Sequence, residues 1–265
     1  MSPDDAETHV AANLTRGGFV AERLPTRTGQ KTADIRATRG CEVWVIDVKA
    51  RQRDRSVETR VLAGETVTIA KRADDEPNRF SALERVHKGA FQVMSTKADD
   101  ELGAVWVVLS DHPTEEMDRY QLQCALLGSS LILRHDCTTT EVWCIHPPQF
   151  RGLDVVVIQA KDFVGVMINP EISGDRLKRI RDSHLVRCAP VFDVRYKVEA
   201  GDGWMAPSEE EALRLTSDIN PPTRLLPREV REWRVEHALQ RLYENVGGLM
   251  PMRFVAVTTL LPEQT

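Results

Sequence analysis

The chain has 265 residues, 42% of them hydrophobic and 28% charged, with a formal net charge of -5. It is long enough to bury a proper core in one large domain or two modest ones, and low-complexity, collagen-like and repeat classes are excluded. No apolar run reaches membrane-spanning length, an odd set of five cysteines without a CxxC pair (Cys41, Cys124, Cys137, Cys144, Cys188) disfavours a disulfide framework, and the negative charge argues against nucleic-acid binding over the whole surface.

The opening residues, MSPDDAETHVAANL, have neither a basic region nor a long apolar run, so a cytoplasmic location without a membrane partner is expected. Residues 3–15 predict a short amphipathic helix, with Ser2 as N-cap, Pro3 in the first helical position and Gly17-Gly18 as the stop. Its apolar stripe contains Val10, Ala11 and Leu14, and Glu7 falls on the same stripe. A carboxylate directed toward the packed side needs a partner or a metal. In a frayed first turn it would instead be favoured by the helix dipole, and both readings stand. Residues 19–24 predict a first strand.

Residues 32–38 and 42–49 alternate in polarity around Arg39-Gly40-Cys41, the pattern of a β-hairpin closed by a two-residue turn with Gly40 first. If Arg39 pairs with Glu42, then Asp34 faces Asp47 and Thr32 faces Lys49, while Ile35, Trp44, Ile46 and Val48 supply a core on the other face. Directly opposed residues have Cβ atoms about 4.5 to 5.5 Å apart, and like charges there are destabilising. A shared divalent cation removes that conflict, and Mg²⁺ in particular takes one or two protein carboxylates with water and phosphate oxygens around them. Lys49, on the same face, is placed to reach a phosphate or an attacking water. The alternative is an exposed polar face on which a register shift or bulge separates the two aspartates.

Between Arg23 and Arg60, ten Lys or Arg stand against five acids, a basic stretch in an acidic chain. A phosphate backbone approaching the hairpin fits this distribution; so does a solvated hairpin with basic loops. The run Ala50-Arg51-Gln52-Arg53-Asp54-Arg55 is too polar for a core and suits phosphate contact. Residues 57–69, with Ala63-Gly64 between two alternating runs, predict an inserted hairpin. Residues 80–97 predict a helix with Leu83, Val86, Ala90, Val93 and Met94 on one side and Gln92 nearly opposite, and residues 105–109 a buried strand.

The order helix, strand, hairpin, helix, strand, together with these residues, resembles the PD-(D/E)xK nuclease superfamily, the restriction-endonuclease-like fold. The resemblance covers residues 6 to about 110 and rests on Glu7 in the first helix, the run Gly17-Gly18-Phe19-Val20-Ala21-Glu22-Arg23-Leu24, Ala33-Asp34 in place of the family's PD, and Asp47-Val48-Lys49 as its (D/E)xK. Ala33 departs from the family's frequent proline. Gln92 is similar to a glutamine found in the next helix of several branches. The resemblance implies Mg²⁺-dependent hydrolysis of phosphodiester bonds, most often of DNA. In that reading Glu7, Asp34, Asp47, Lys49 and Gln92 form the catalytic set, and Asp34, Asp47 and the Val48 carbonyl hold Mg²⁺, for which Mn²⁺ can substitute.

Further along, residues 117–127 predict a helix and residues 130–136 and 141–146 strands. A symmetric hairpin about Thr140-Glu141 would place His135, Cys137, Cys144 and His146 on one face, a zinc ligand set by composition. Zinc sites usually draw their ligands from tight knuckles, so structural zinc is disfavoured and core-edge residues are the expected reading. Pro147-Pro148 marks an expected boundary. Strands follow at 153–158, 163–168 and 191–198, and a basic helix at 175–183 with Arg176, Lys178, Arg179 and Arg181 on what reads as a solvated face. Helices are predicted at 209–215 and 227–245, the latter with Val230, Leu239, Leu242 and Val246 inward and Gly247-Gly248 as its stop, and a last strand at 254–260.

The expected class is α/β: a restriction-endonuclease-like αβββαβ core with a mixed central sheet over residues 1–147, then a C-terminal α+β region over 148–265 serving recognition, dimerisation or sheet extension. The expected function is a DNA endonuclease of restriction, phage defence or repair. An RNA or structure-specific nuclease with the same site is the first alternative, and a non-cleaving nucleic-acid-binding or assembly protein of the same fold the second. Nucleic acid, DNA ahead of RNA, is the expected partner, with a homodimer or protein partner left open.

Overall fold

The computed structural model describes residues 2–25, 32–50, 60, 63, 67–72, 81–109, 115–160, 163–243, 246–250 and 255–260. The elements in chain order begin with α1 (Pro3–Arg16), β1 (Val20–Arg23), β2 (Ile35–Arg39), β3 (Glu42–Ala50), β4 (Val67–Arg72), α2 (Ser81–Thr96), β5 (Leu102–Val108) and α3 (Glu115–Leu127). They continue with β6 (Ser130–Arg134), β7 (Thr139–Trp143), β8 (Val155–Ala160), β9 (Phe163–Ile168), α4 (Gly174–Asp182), α5 (His184–Arg187) and β10 (Val191–Phe192). Last come α6 (Val194–Glu199), β11 (Gly203–Met205), α7 (Glu209–Leu215), α8 (Pro227–Leu242), β12 (Val246–Met250) and β13 (Val255–Leu260). No helix among the described residues is long and apolar enough to cross a membrane.

These elements form an α/β protein of two compact units whose sequences interleave: Met1–Leu126, Gln149–Phe192 and Phe254–Thr265 in the first, Leu127–Pro148 and Asp193–Arg253 in the second. This differs from the contiguous division expected at 147/148. The reason is strand pairing: β8 and β9 continue the first unit's sheet, whereas β6 and β7 pair with β12 and β11 from late in the chain.

The first unit is organised on a seven-stranded mixed sheet in the order β1-β2-β3-β5-β8-β9-β10. Strands β1 to β3 are an antiparallel meander; β5 and β8 run parallel to β3, β9 turns back antiparallel, and β10 lies parallel to β9. A parallel β3–β5 pair cannot be closed by a tight turn, so the chain crosses over through α2. Strands β5 and β8 are buried along their whole length, which explains their continuous apolar runs. On one face, Ala6, Val10 and Leu14 of α1 share a core with Trp44, Ile46 and Val48, with Trp106 and Val157, and with Ile180 and Leu185. Helix α1 itself is set by a Ser2/Asp5 capping box and ends at Gly17. On the other face α2 packs on β3 and β5. β4 and β13 form a separate antiparallel ladder.

The second unit is a four-stranded sheet, β11-β7-β6-β12, with Ile132 and Val142 packed in one core with Val235, Ala238 and Leu239 of α8. Two expectations are corrected, and a third falls largely outside the described residues. Residues 191–198 are not one strand: β10 is two residues long, and the Asp193 carboxylate then caps α6 by accepting from the Arg195 N–H. Gly247-Gly248 does not stop α8, which ends at Leu242; the pair lies inside β12 at a register shift, and Leu242 is exposed. Most of the hairpin expected at 57–69 lies outside the described residues, and its last residues belong to β4, whose partner is β13.

Asp154, only 1% exposed, joins three parts of the first unit. It accepts from the Gly103 N–H at 2.6 Å and from Arg176 Nε and Nη2 at 2.6 and 2.8 Å. Asp154→Ala strips a buried amide and a guanidinium of their shared acceptor. It is expected to lower the unfolding free energy by about 3 kcal/mol, seen as a lower urea midpoint at unchanged slope; a loss below about 1 kcal/mol would assign the pair little weight.

Candidate active site

The β2–β3 turn is Gly40-Cys41, with Gly40 at φ 59°, a conformation glycine adopts without the Cβ strain other residues incur. The turn sets the register: Arg39 pairs with Glu42, Thr38 with Val43, Arg36 with Val45 and Ile35 with Ile46. One residue further, the Asp34 N–H donates to the Ile46 carbonyl at 3.1 Å, and the Asp34 carbonyl accepts from Leu24 of the neighbouring chain segment at 2.9 Å. The first of these bonds is one residue off the Ile35–Ile46 register, so Asp34 and Ile35 both face Ile46 and a bulge ends the regular ladder at Asp34; the two aspartates meet through their side chains and not as a regular cross-strand pair.

The Asp34 carboxylate is held by the Val48 N–H, which donates to its Oδ2 at 2.7 Å. Asp47 is 0% exposed. Lys49 Nζ lies 2.5 Å from Asp47 Oδ2, a close ion-pair contact. Lys49 Nζ also donates to Gln92 Oε1 at 3.0 Å, and Gln92 Nε2 donates to the Thr32 carbonyl at 3.1 Å. Asp34, Asp47, Val48, Lys49 and Gln92 are thus brought together by two strands and a helix.

Helix α2 approaches closely because Gly89 lies over Asp47. A Cβ there would sit 2.5 Å from Asp47 Oδ2 and 2.8 Å from Val105 Cγ2. The face carrying Asp47 is therefore covered, not an exposed polar surface. Gln92, one turn beyond Gly89, is half-buried and reaches the sheet although the apolar stripe alone placed it on the far side. Two further anchors were not read from the sequence. Thr96 Oγ1 accepts from the Ala33 N–H at 3.0 Å, and the Arg85 guanidinium donates to the Ala50 carbonyl. Gly89 carried a readable signal, since a glycine inside a helix costs about 1 kcal/mol relative to alanine and calls for a packing reason.

Glu7 is adjacent but not part of this contact group. Its carboxylate, 23% exposed, pairs with Arg23 Nη2 at 3.5 Å. Burial, reinforced by the Asp34 charge and opposed by Arg23, raises its pKa. Burial also pushes Asp47 up to about 7, with Lys49 opposing the rise and Asp34 adding to it.

Comparison with protein-family models, with curated proteins and with solved structures finds no match for this chain.

Among the described residues, no group of three or more His, Cys, Asp and Glu side chains is gathered closely enough to hold a metal ion. The Asp34–Asp47 pair is smaller than such a cluster, and it fits a cation that needs only one or two carboxylates. The other proposed set does not assemble as drawn. Strands β6 and β7 pair Ser130 with Val142 and Leu133 with Thr139, so the hairpin turns around residue 136. Exposed His135 and Cys137 lie at that turn, while Cys144 and His146 lie past the far end of β7, where His146 Nε2 meets Glu232 Oε1 at 3.0 Å. The turn forms there because Asp136 accepts from the Thr138 N–H at 3.0 Å and Cys137 takes φ 64°. The basic run at residues 51–55 lies outside the described residues.

A carboxyl that holds its proton to about 7 when folded and releases it near 3.8 when unfolded makes the folded state the stronger proton binder between those values. Its stabilising contribution is complete below the unfolded value and is lost as pH rises through about 7. In EDTA, the wild type is expected to lose more than about 2 kcal/mol of stability between pH 5 and pH 8 relative to Asp47→Asn. Denaturation curves at both pH values check this; parallel pH profiles for the two proteins would contradict it.

Proposed function

We propose that the chain is a Mg²⁺-dependent nuclease of the PD-(D/E)xK kind, hydrolysing phosphodiester bonds of DNA. The observation that carries this reading is Asp47: a carboxylate with no exposed surface, beside a second carboxylate and in contact with the Lys49 ammonium. Burying ionised carboxylates is costly unless a cation or a proton compensates. The order α1, antiparallel β1–β2–β3, α2, parallel β5 supports the restriction-endonuclease-like αβββαβ core, with β4 inserted and β8 to β10 extending the sheet.

Asp34 and Asp47, with the Val48 carbonyl, would hold the metal ion. When bound, Mg²⁺ supplies Lewis-acid stabilisation of phosphate charge and makes water more acidic. Lys49 donates toward the attacking water or the charge developing on the phosphate. Gln92 keeps the Lys49 ammonium over the site through its two hydrogen bonds. Glu7, at the edge of the cluster, is placed to hold a water or accept a proton. The same chemistry reads phosphate and not sugar, so RNA belongs in the test. A second reading, a non-cleaving nucleic-acid-binding or assembly protein, is favoured by one contact: Lys49 at 2.5 Å already offers Asp47 a compensating charge.

Purified protein incubated with duplex DNA, single-stranded DNA and RNA is expected to cut DNA in Mg²⁺ or Mn²⁺ and nothing in EDTA. Asp47→Asn and Lys49→Ala are each expected to slow cleavage at least about 100-fold. Cutting of RNA alone would reassign the substrate, and full activity in Asp47→Asn would overturn the site. Binding without cleavage of any substrate would select the second reading.

A further inference from the structure

Val48 pairs with Trp106 in the sheet, so Trp106 lies on the face turned away from Asp47. On that face the first unit contains a cavity of about 560 Å³. Small-molecule sites typically span about 300 to 1,000 Å³. Its floor is Trp106, Val157, Val164 and Val166 of β5, β8 and β9. Helix α1 forms one wall with His9, Asn13 and Arg16, and the α5 segment forms the other with His184, Leu185 and Cys188.

The polar groups of this cavity are ordered by one residue that can only donate. Trp106 Nε1 donates to Gln159 Oε1 at 2.9 Å, which fixes the orientation of the Gln159 amide. Asn13 Nδ2 donates to the same oxygen at 3.4 Å, and Gln159 Nε2 is thereby turned to His9 Nε2 at 2.7 Å. His9 in its neutral form accepts there and carries its proton on Nδ1. Arg16 Nη2 donates to Asn13 Oδ1. The acceptors of the network are therefore spent inside the protein. What remains is donor capacity: the second Asn13 N–H, His9 Nδ1–H and the rest of the Arg16 guanidinium. Gln159 itself is 5% exposed, so the network is built into the sheet and is not a surface accident. Among the described residues that line the cavity none is acidic.

An apolar floor beside an α1 wall that is cationic and offers donors disfavours cations and favours an apolar body bearing an oxyanion. We propose that this cavity binds a small aromatic oxyanion, a carboxylate or a phosphate monoester. It lies on the same helix that carries Glu7 to the candidate active site, on a different face of the sheet.

The test uses the full chain in EDTA with four probes of one shape: 2-naphthoate, 2-naphthyl phosphate, neutral 2-naphthol and cationic 2-naphthylmethylamine. Calorimetric titration is expected to show at least one anion binding tenfold or more tighter than 2-naphthol, with the amine weakest; the tighter anion identifies the headgroup. Arg16→Glu, at an exposed position, should weaken the anions about tenfold and leave 2-naphthol unchanged. Val164→Trp should fill the floor and abolish binding of all four. Cys188, whose Sγ lies 3.1 Å from His184 Nε2 at the wall, serves as a footprint. Saturating anion should slow its alkylation by iodoacetamide without slowing that of exposed Cys41 and Cys137. Equal affinity for 2-naphthol, anion binding unchanged in Arg16→Glu, or no protection of Cys188 would overturn the proposal, as would no binding of either anion.

Discussion

A carboxylate with no exposed surface, set across a hairpin from a second carboxylate and beneath a helix, imposes conditions on every element around it. Asp47 has no exposed surface, and the ammonium in contact with it, Lys49, is shared with Gln92. Beside the Lys49 ion pair, two further ways of offsetting the burial are compatible with this geometry. Protonation is one, and burial does push the Asp47 carboxyl up to about 7. Coordination of a cation by both aspartates is the other. The two compete for the same group, so cation binding and proton release are coupled there.

The scaffold follows from that requirement. A two-residue turn at Gly40-Cys41 sets the register as far as Ile35, a bulge at Asp34 then directs its carboxylate to the Val48 N–H beside Asp47, and the parallel β3–β5 pair obliges the chain to cross over through α2. That crossover delivers Gly89 and Gln92, one turn apart, onto the polar residues of β3. Gly89 lets the helix approach Asp47, and Gln92 then spans from Lys49 to Thr32. The opposite face of the same strand is ordinary core beneath α1. One hairpin thus divides an apolar layer from a buried polar cluster, and α1 serves both the edge of the candidate active site and the wall of the cavity on the other face.

The hairpin was legible because its information is local: alternation, a glycine at the turn, and a period of two that assigns faces without knowledge of the rest of the chain. The long helix over Ser81–Thr96 was legible for the same reason. Gln92 was harder, because a helical wheel weights apolar side chains and cannot register that Gly89, by having none, lowers the whole face onto the sheet. The zinc-like set failed on register: four suitable residues invited a symmetric hairpin, but Asp136 and Cys137 place the turn several residues earlier. The division into units was not legible either, since it depends on which distant strands pair. Nothing local in β6 and β7 says that their partners are β12 and β11 and not the adjacent β8.

The central claim, that Asp34 and Asp47 together form a divalent-cation site, is tested most directly by titrating the metal-free protein with Mn²⁺ near pH 6.5 in buffers of different ionisation enthalpy. The account predicts one Mn²⁺ bound per chain, displaced by excess Mg²⁺, released protons on binding, and loss of that binding in Asp47→Asn. Absence of stoichiometric binding, or binding that survives unchanged in Asp47→Asn, would contradict it.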